Sequence, residues 1–177
     1  MTFRCIKDTD MATTFDTSHS AVFRTLVVDD CEPWRQQVCS ILQTQQELRV
    51  VAGIADGLEA VQRAKELQPD LILLDIGLPN LNGLEAANRI RQLAPDARIL
   101  FLTLNSDQDV VRAALNTGAQ GYVLKTDAGR ELLPAVAGVL GGDDFVSSGI
   151  KGPDSGRNRG VNGAPIPYEN TQFPVAT

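Results

Sequence analysis

At 177 residues the chain has room for one domain of ordinary size with length left over for tails, and 43% hydrophobic composition is enough to build a core. A net charge of -6 disfavours nonspecific nucleic-acid binding, which depends on Lys and Arg neutralising phosphates. No run reaches the roughly 18 apolar residues of a membrane helix, and the stretch through Ser20 lacks the apolar core of a signal peptide, so a cytoplasmic protein is expected.

Residues 1–20 are polar, with neither a helical nor a strand period, and read as a flexible tail that contains the only histidine, His19. From Ala21 the pattern changes. Val22, Phe23, Leu26, Val27 and Val28 form a strand that runs into Asp29 and Asp30. Pro33 opens a helix, with its cap expected at Glu32, and Trp34, Val38, Ile41 and Leu42 share one face. Leu48, Val50, Ala52 and Ile54 alternate as in a strand nearer a sheet edge, and the next helix points Leu58, Val61, Ala64 and Leu67 inward before Pro69.

Leu71, Ile72, Leu73 and Leu74 are four consecutive aliphatics with no polar alternation, the pattern of a central parallel strand covered on both faces. That strand stops at Asp75, followed by the turn residues Gly77 and Pro79. Leu84, Ala87, Ile90 and Leu93 mark a third helix, and Arg98 to Thr103 a fourth strand. Ser106 and Asp109 give a capping signal for a fourth helix that buries Val110, Val111, Ala114 and Leu115 and ends at Gly118. Tyr122 to Lys125 is the fifth strand. The last helix carries Leu132, Leu133, Val136, Val139 and Leu140, with Pro134 expected in its first turn, where a missing N–H costs least. Phe145 and Val146 are available to pack back as a last short segment. From Gly149 onward the composition turns to Gly, Pro, Asn and Ser, a second flexible tail.

Five strands alternating with five helices through short connections imply a doubly wound parallel α/β domain over residues 21–148. The three cysteines are odd in number, and Cys31 and Cys39 lie too far apart along one helix to bridge; they read as buried or inert thiols.

In such a sheet every strand's carboxyl end points to the same side, where open α/β sheets bind ligands. Asp29 with Asp30, Asp75, Thr103 and Lys125 end four different apolar strands and converge there. Three carboxylates together repel by roughly 4 kcal/mol per pair at an effective dielectric near 20, which calls for a cation. Mg²⁺ suits the need, because it takes hard oxygen ligands and binds through carboxylates plus phosphate and water. Lys125 adds a positive charge and Thr103 a hydroxyl, the groups that hold a phosphoryl oxygen.

These motifs resemble the receiver domain of two-component response regulators: Val27-Val28-Asp29-Asp30, Leu73-Leu74-Asp75-Ile76-Gly77-Leu78-Pro79, Leu102-Thr103, and Gly118 to Lys125. The wording is most similar to receivers of the NarL/LuxR type. The resemblance implies a CheY-like, flavodoxin-like sheet of order 2-1-3-4-5. It implies that Asp75 is the phosphoacceptor, served by a sensor histidine kinase or a phosphotransfer protein. Mg²⁺ would be held by Asp30, Asp75 and the backbone carbonyl of Gly77, with Asp29 acting mainly through water. Lys125 would neutralise the phosphoryl group, Thr103 would hydrogen-bond it, and Tyr122 would turn inward as the switch. An unknown downstream protein, or a homodimer through the fourth helix, fifth strand and fifth helix, would read the change.

NarL/LuxR-type members carry a helix-turn-helix output domain, whereas the residues after Ser148 lack helical periodicity. No DNA binding is therefore expected of this chain, the few basic residues there (Lys151, Arg157 and Arg159) reading as solvated linker. Leu104 stands where many receivers have a small residue, and is expected to narrow access to Asp75. Thr126 replaces the proline common after the lysine. An aspartyl-nucleophile phosphatase of the haloacid-dehalogenase type would need a second Asp at position 77, which is Gly. A phosphate-independent adaptor is the remaining alternative.

Overall fold

The computed structural model describes residues 22–150. The readings of His19, of the basic residues after Ile150 and of most of both tails lie outside these residues. In chain order the elements are β1 (Phe23–Val28), α1 (Glu32–Gln43), β2 (Leu48–Ile54), α2 (Gly57–Leu67), β3 (Leu71–Leu74), α3 (Gly83–Leu93), β4 (Arg98–Thr103), α4 (Gln108–Asn116), β5 (Gly121–Leu124), α5 (Ala128–Gly141) and β6 (Phe145–Val146).

The strands form one parallel sheet of order β2-β1-β3-β4-β5-β6. Five strands are expected from the sequence, and the sixth is an addition at the edge. After α5 the chain turns back along β5, where Phe145 N donates to the Gln120 carbonyl at 2.9 Å and Ser147 N to the Tyr122 carbonyl at 2.8 Å. The short strand thereby satisfies backbone groups that an open β5 edge would leave to solvent. The Ser147 and Ser148 hydroxyls both donate to Glu131 of α5, and Ile150 packs on the core beyond the expected end of the domain.

All four β3 residues are buried, because alternate side chains enter opposite cores. Ile72 and Leu74 pack with Ala60 and Ala64 of α2, Ala86, Ala87 and Ile90 of α3, and Val111 and Ala114 of α4. Leu71 and Leu73 pack with Val38 and Leu42 of α1 and Leu132, Ala135, Val136 and Val139 of α5. The period of two thus sets two helical layers on one sheet.

Several local expectations need correction. Helix α1 begins one residue earlier than expected, with Cys31 at the N-cap and Pro33 in its first turn, a turn whose N–H groups are unpaired within the helix in any case. Asp107, not Ser106, caps α4, its carboxylate accepting from Asp109 N at 2.8 Å and Val110 N at 3.4 Å. Pro134 lies in the interior of α5. It is exposed, so the carbonyl it leaves without a helical donor faces the water side. Leu58 is exposed and α2 buries Ala60 instead, while Cys31 is exposed, not buried. Leu93 is also exposed, at the end of α3.

Candidate functional site

The parallel ladder continues one step past the strands and brings their terminal residues together. Asp29 N donates to the Ile54 carbonyl, Asp75 N to the Val28 carbonyl, both at 2.9 Å, and Lys125 N to the Thr103 carbonyl at 2.8 Å. Four apolar strands too short to carry their polar ends elsewhere thus deliver them to one rim of the sheet.

At that rim Lys125 bridges two carboxylates. Its Nζ lies 2.6 Å from Asp29 Oδ2 and 2.7 Å from Asp75 Oδ2, and all three side chains are at least nine-tenths buried. Carboxylate oxygens of Asp29, Asp30 and Asp75 lie within 4.8 Å of one another, Asp30 on the exposed side. Burial pushes the Asp29 carboxyl up from its usual range, opposed by the hydrogen bond and charge of Lys125. Burial also works against the charge on Lys125, but its hydrogen bonds to Asp29 and Asp75 win and leave its affinity for the proton raised. The ammonium is therefore the fixed charge of the site.

Asp29 and Asp75 are each oriented by a backbone N–H. Asp29 Oδ1 accepts from Cys31 N at 3.0 Å, and the Asp29 carbonyl accepts from the Arg35 guanidinium of α1. Asp75 Oδ1 accepts from Ile76 N at 2.6 Å, which leaves Oδ2 to Lys125. The turn after β3 is closed by Gly83 N, the first residue of α3, donating to the Ile76 carbonyl at 2.9 Å.

A cleft of 420 Å³ opens over Asp75, lined by Asp75, Ile76, Gly77, Thr103, Leu104 and Asn105. Thr103 is buried at its wall, and its Oγ1 accepts from Asn105 N at 3.4 Å. Leu104 stands at the mouth, 71% exposed. Tyr122 is fully buried; its hydroxyl donates to the Asn105 carbonyl at 2.8 Å and its ring meets Phe101 with centroids 6.2 Å apart. Burial first, then the charges of Asp75 and Asp107, push that hydroxyl up to about 12.

All seven residues singled out from the sequence (Asp29, Asp30, Asp75, Gly77, Thr103, Tyr122 and Lys125) thus fall on or beside one rim. Sequence reasoning missed three supports. Asp56 caps α2, accepting from Leu58 N and Glu59 N, a role that its spacing from Glu59 could have signalled. Asn80, at φ 60°, donates to Asp56 and ties the turn after Asp75 to α2. Trp34 of α1 places its ring 5.9 Å from Lys125 Nζ, and nothing in its sequence spacing announces that contact.

The response regulator receiver domain family matches residues 25–137 of this chain. The chain is 36% identical over 121 residues to the transcriptional regulatory protein LnrK of Bacillus subtilis, covering 68% of this chain and 55% of LnrK. It is 32% identical over 149 residues to the transcriptional regulatory protein LiaR of the same organism, covering 84% of this chain and 71% of LiaR. It thus spans about half the length of LnrK. Among solved structures, a two-component response regulator of the LuxR family from Aurantimonas sp. superposes with a TM-score of 0.70 at 33% identity, over 73% of this chain and 93% of that one. The response regulator domain of Thermotoga maritima CheB gives 0.64 at 34% identity, over 68% and 97%.

Proposed function

Because this chain belongs to the response regulator receiver domain family, we propose that Asp75 accepts a phosphoryl group from a sensor histidine kinase or a phosphotransfer protein in the cytoplasm. The observation that carries the reading is the Lys125 ammonium held between Asp29 and Asp75 under an open cleft that reaches Asp75. An Asp75 oxygen attacks phosphorus; the new O–P bond forms as the P–N bond to the donor imidazole breaks, and the imidazole nitrogen keeps the electron pair. In such transfers the protein mainly positions groups and balances charge. Lys125 neutralises the phosphoryl oxygens on one side, and the Thr103 hydroxyl donates to one of them from the cleft wall.

The donor set fits a hard divalent cation, since the Lys125 ammonium pairs with only two of three carboxylates whose oxygens lie within 4.8 Å of one another and leaves the cluster negative. Asp30, Asp75 and the Gly77 carbonyl would hold Mg²⁺, with Asp29 acting mainly through water. The ion supplies charge neutralisation at the transferring oxygens.

Loading Asp75 draws the Thr103 hydroxyl toward the phosphoryl group, and the Tyr122 ring, already buried beside it, shifts into the space released behind it. The signal is a population shift between two arrangements of α4, β5 and α5, read by a downstream protein or by a second copy bound through those elements. The transcriptional role in the names of LnrK and LiaR belongs to those longer proteins; the role proposed for the described domain is the switch.

The test is intact-mass analysis after incubation with Mg²⁺ and acetyl phosphate, phosphoramidate or a phosphorylated kinase. One phosphoryl group is expected on the wild-type chain, none on Asp75→Ala and none in EDTA. An unlabelled wild type with every donor would overturn the reading in favour of the static adaptor.

A further inference from the structure

Trp34 is the chain's single tryptophan and lies in the first turn of α1, just past the acidic pair. Its half-buried ring packs on the core shared by α1 and α5. The Lys125 ammonium lies 5.9 Å from the ring centroid, inside the roughly 6 Å range of a cation–π contact. The indole Nε1 is buried and has no hydrogen-bond partner among the described residues. An unpaired buried donor weakens a fold, and a Phe or Leu would occupy the position without one. Packing alone would not select this residue. What Trp adds over Leu is a broad π face toward the lysine.

Lys125 has two ionic anchors, Asp29 at 2.6 Å and Asp75 at 2.7 Å. If Asp75 takes the phosphoryl group, its oxygens are no longer free to hold the ammonium, which must move to a phosphoryl oxygen. A lysine is a point charge on a flexible four-carbon stem, and with one of two anchors released it can swing out of the site. Asp29 and the Trp34 face are the contacts that do not change during the exchange, and of the two only the ring flanks the ammonium without a charge that the phosphoryl group and its metal would also draw on.

We propose that Trp34 is a positioning residue for phosphoryl acceptance, its ring retaining the Lys125 ammonium at the site while the lysine exchanges Asp75 for the incoming phosphoryl group. This rests on the reading of Asp75 as the acceptor.

The test compares the wild-type 177-residue chain with Trp34→Leu, Trp34→Phe and Asp75→Ala. The initial rate of Mg²⁺-dependent phosphoryl incorporation from phosphoramidate is read by intact mass, with the urea midpoint of each chain alongside. Trp34→Leu, which keeps apolar bulk but loses the ring, is expected to incorporate label about five- to tenfold more slowly. Trp34→Phe, which keeps a ring and drops the orphan N–H, is expected within about twofold of wild type, with a urea midpoint equal or higher. Trp34→Met serves as the ringless variant if the leucine chain does not fold. Wild-type rates in the ringless variant, or equal slowing in Trp34→Phe, would overturn the proposal while leaving Asp75 as acceptor. An unlabelled wild type would overturn both, and that outcome is distinguished by the first measurement.

Discussion

The first residue of α3, Gly83, sits so close to Asp75 that a Cβ there would lie 2.0 Å from the Asp75 carbonyl oxygen and 2.8 Å from Ile76 Cα. Those are backbone atoms with no rotamer by which to yield, so the helix and the acid are fitted to one another through a missing methyl group. Gly83→Ala must move either the start of α3 or the strand end that carries Asp75. A loss of about 1–3 kcal/mol is expected, together with slower phosphoryl acceptance, because a small misplacement of a reacting group is costly. Gly129→Ala, at a glycine of α5 whose Cβ would meet nothing within 4 Å, is the control. It should be neutral or stabilising by up to about 1 kcal/mol. Urea unfolding of both variants checks the contrast.

Mg²⁺ is expected to stabilise the folded chain, since a ligand that binds only the native state adds stability by mass action. At about ten times its dissociation constant the gain is about 1.4 kcal/mol, an upward shift in Tm of about 3–6 °C for a domain of this size. EDTA should remove the gain. Asp30→Asn takes away the exposed member of the acidic cluster, and two results are expected together: loss of the Mg²⁺ shift, and a metal-free Tm no lower than wild type, because a repelling charge is gone. Differential scanning calorimetry with and without Mg²⁺ reads both, and an undiminished shift in Asp30→Asn would remove it from the metal-binding set.

The fold and the site were legible to different depths. Leu71 to Leu74 announce a doubly covered strand because each side chain is apolar, and once the sheet is parallel the positions of Asp29, Asp75, Thr103 and Lys125 at one rim follow from chain direction alone. The misplaced features are those decided between neighbours of similar chemistry. Ser106 and Asp107 are both good caps, and only the path of the loop selects Asp107. Pro134 is tolerated inside α5 because that face of the helix is wet, which depends on where α5 lies against the sheet. Contacts such as Trp34 with Lys125 join residues 91 positions apart, and no local pattern encodes them. The sixth strand was legible only as two apolar residues after a double glycine.

Leu104 caps the mouth of the cleft while its own side chain is largely in water. Leu104→Ala should therefore change stability by less than about 0.5 kcal/mol and act on access alone. Phosphorylation by a small donor and hydrolysis of the aspartyl phosphate should both quicken, by about threefold, equivalent to about 0.7 kcal/mol in the barrier. Parallel measurement of the two rates is the check. Unchanged rates would show that small molecules reach Asp75 without passing the leucine.

The last prediction concerns the buried hydroxyl of Tyr122, pushed up to about 12 by burial and by the charges of Asp75 and Asp107. In the unfolded chain a tyrosine loses its proton near pH 10, so between about pH 10 and 12 the folded chain holds a proton that the unfolded chain has released. Stability then falls with rising pH: the contribution is whole below pH 10 and is lost by pH 12, at 1.36 kcal/mol per unit, or about 2–3 kcal/mol in all. Tyr122→Phe removes the titrating group and should flatten that part of the profile, while giving up the hydrogen bond to the Asn105 carbonyl at a cost of about 1 kcal/mol at neutral pH. Urea unfolding from pH 8 to 12 of wild type and variant, with absorbance at the tyrosinate band, measures both quantities. A wild-type profile as flat as that of Tyr122→Phe would mean that the hydroxyl reaches solvent in the native ensemble, and that the inward position of Tyr122 is one of two states the unphosphorylated domain already visits.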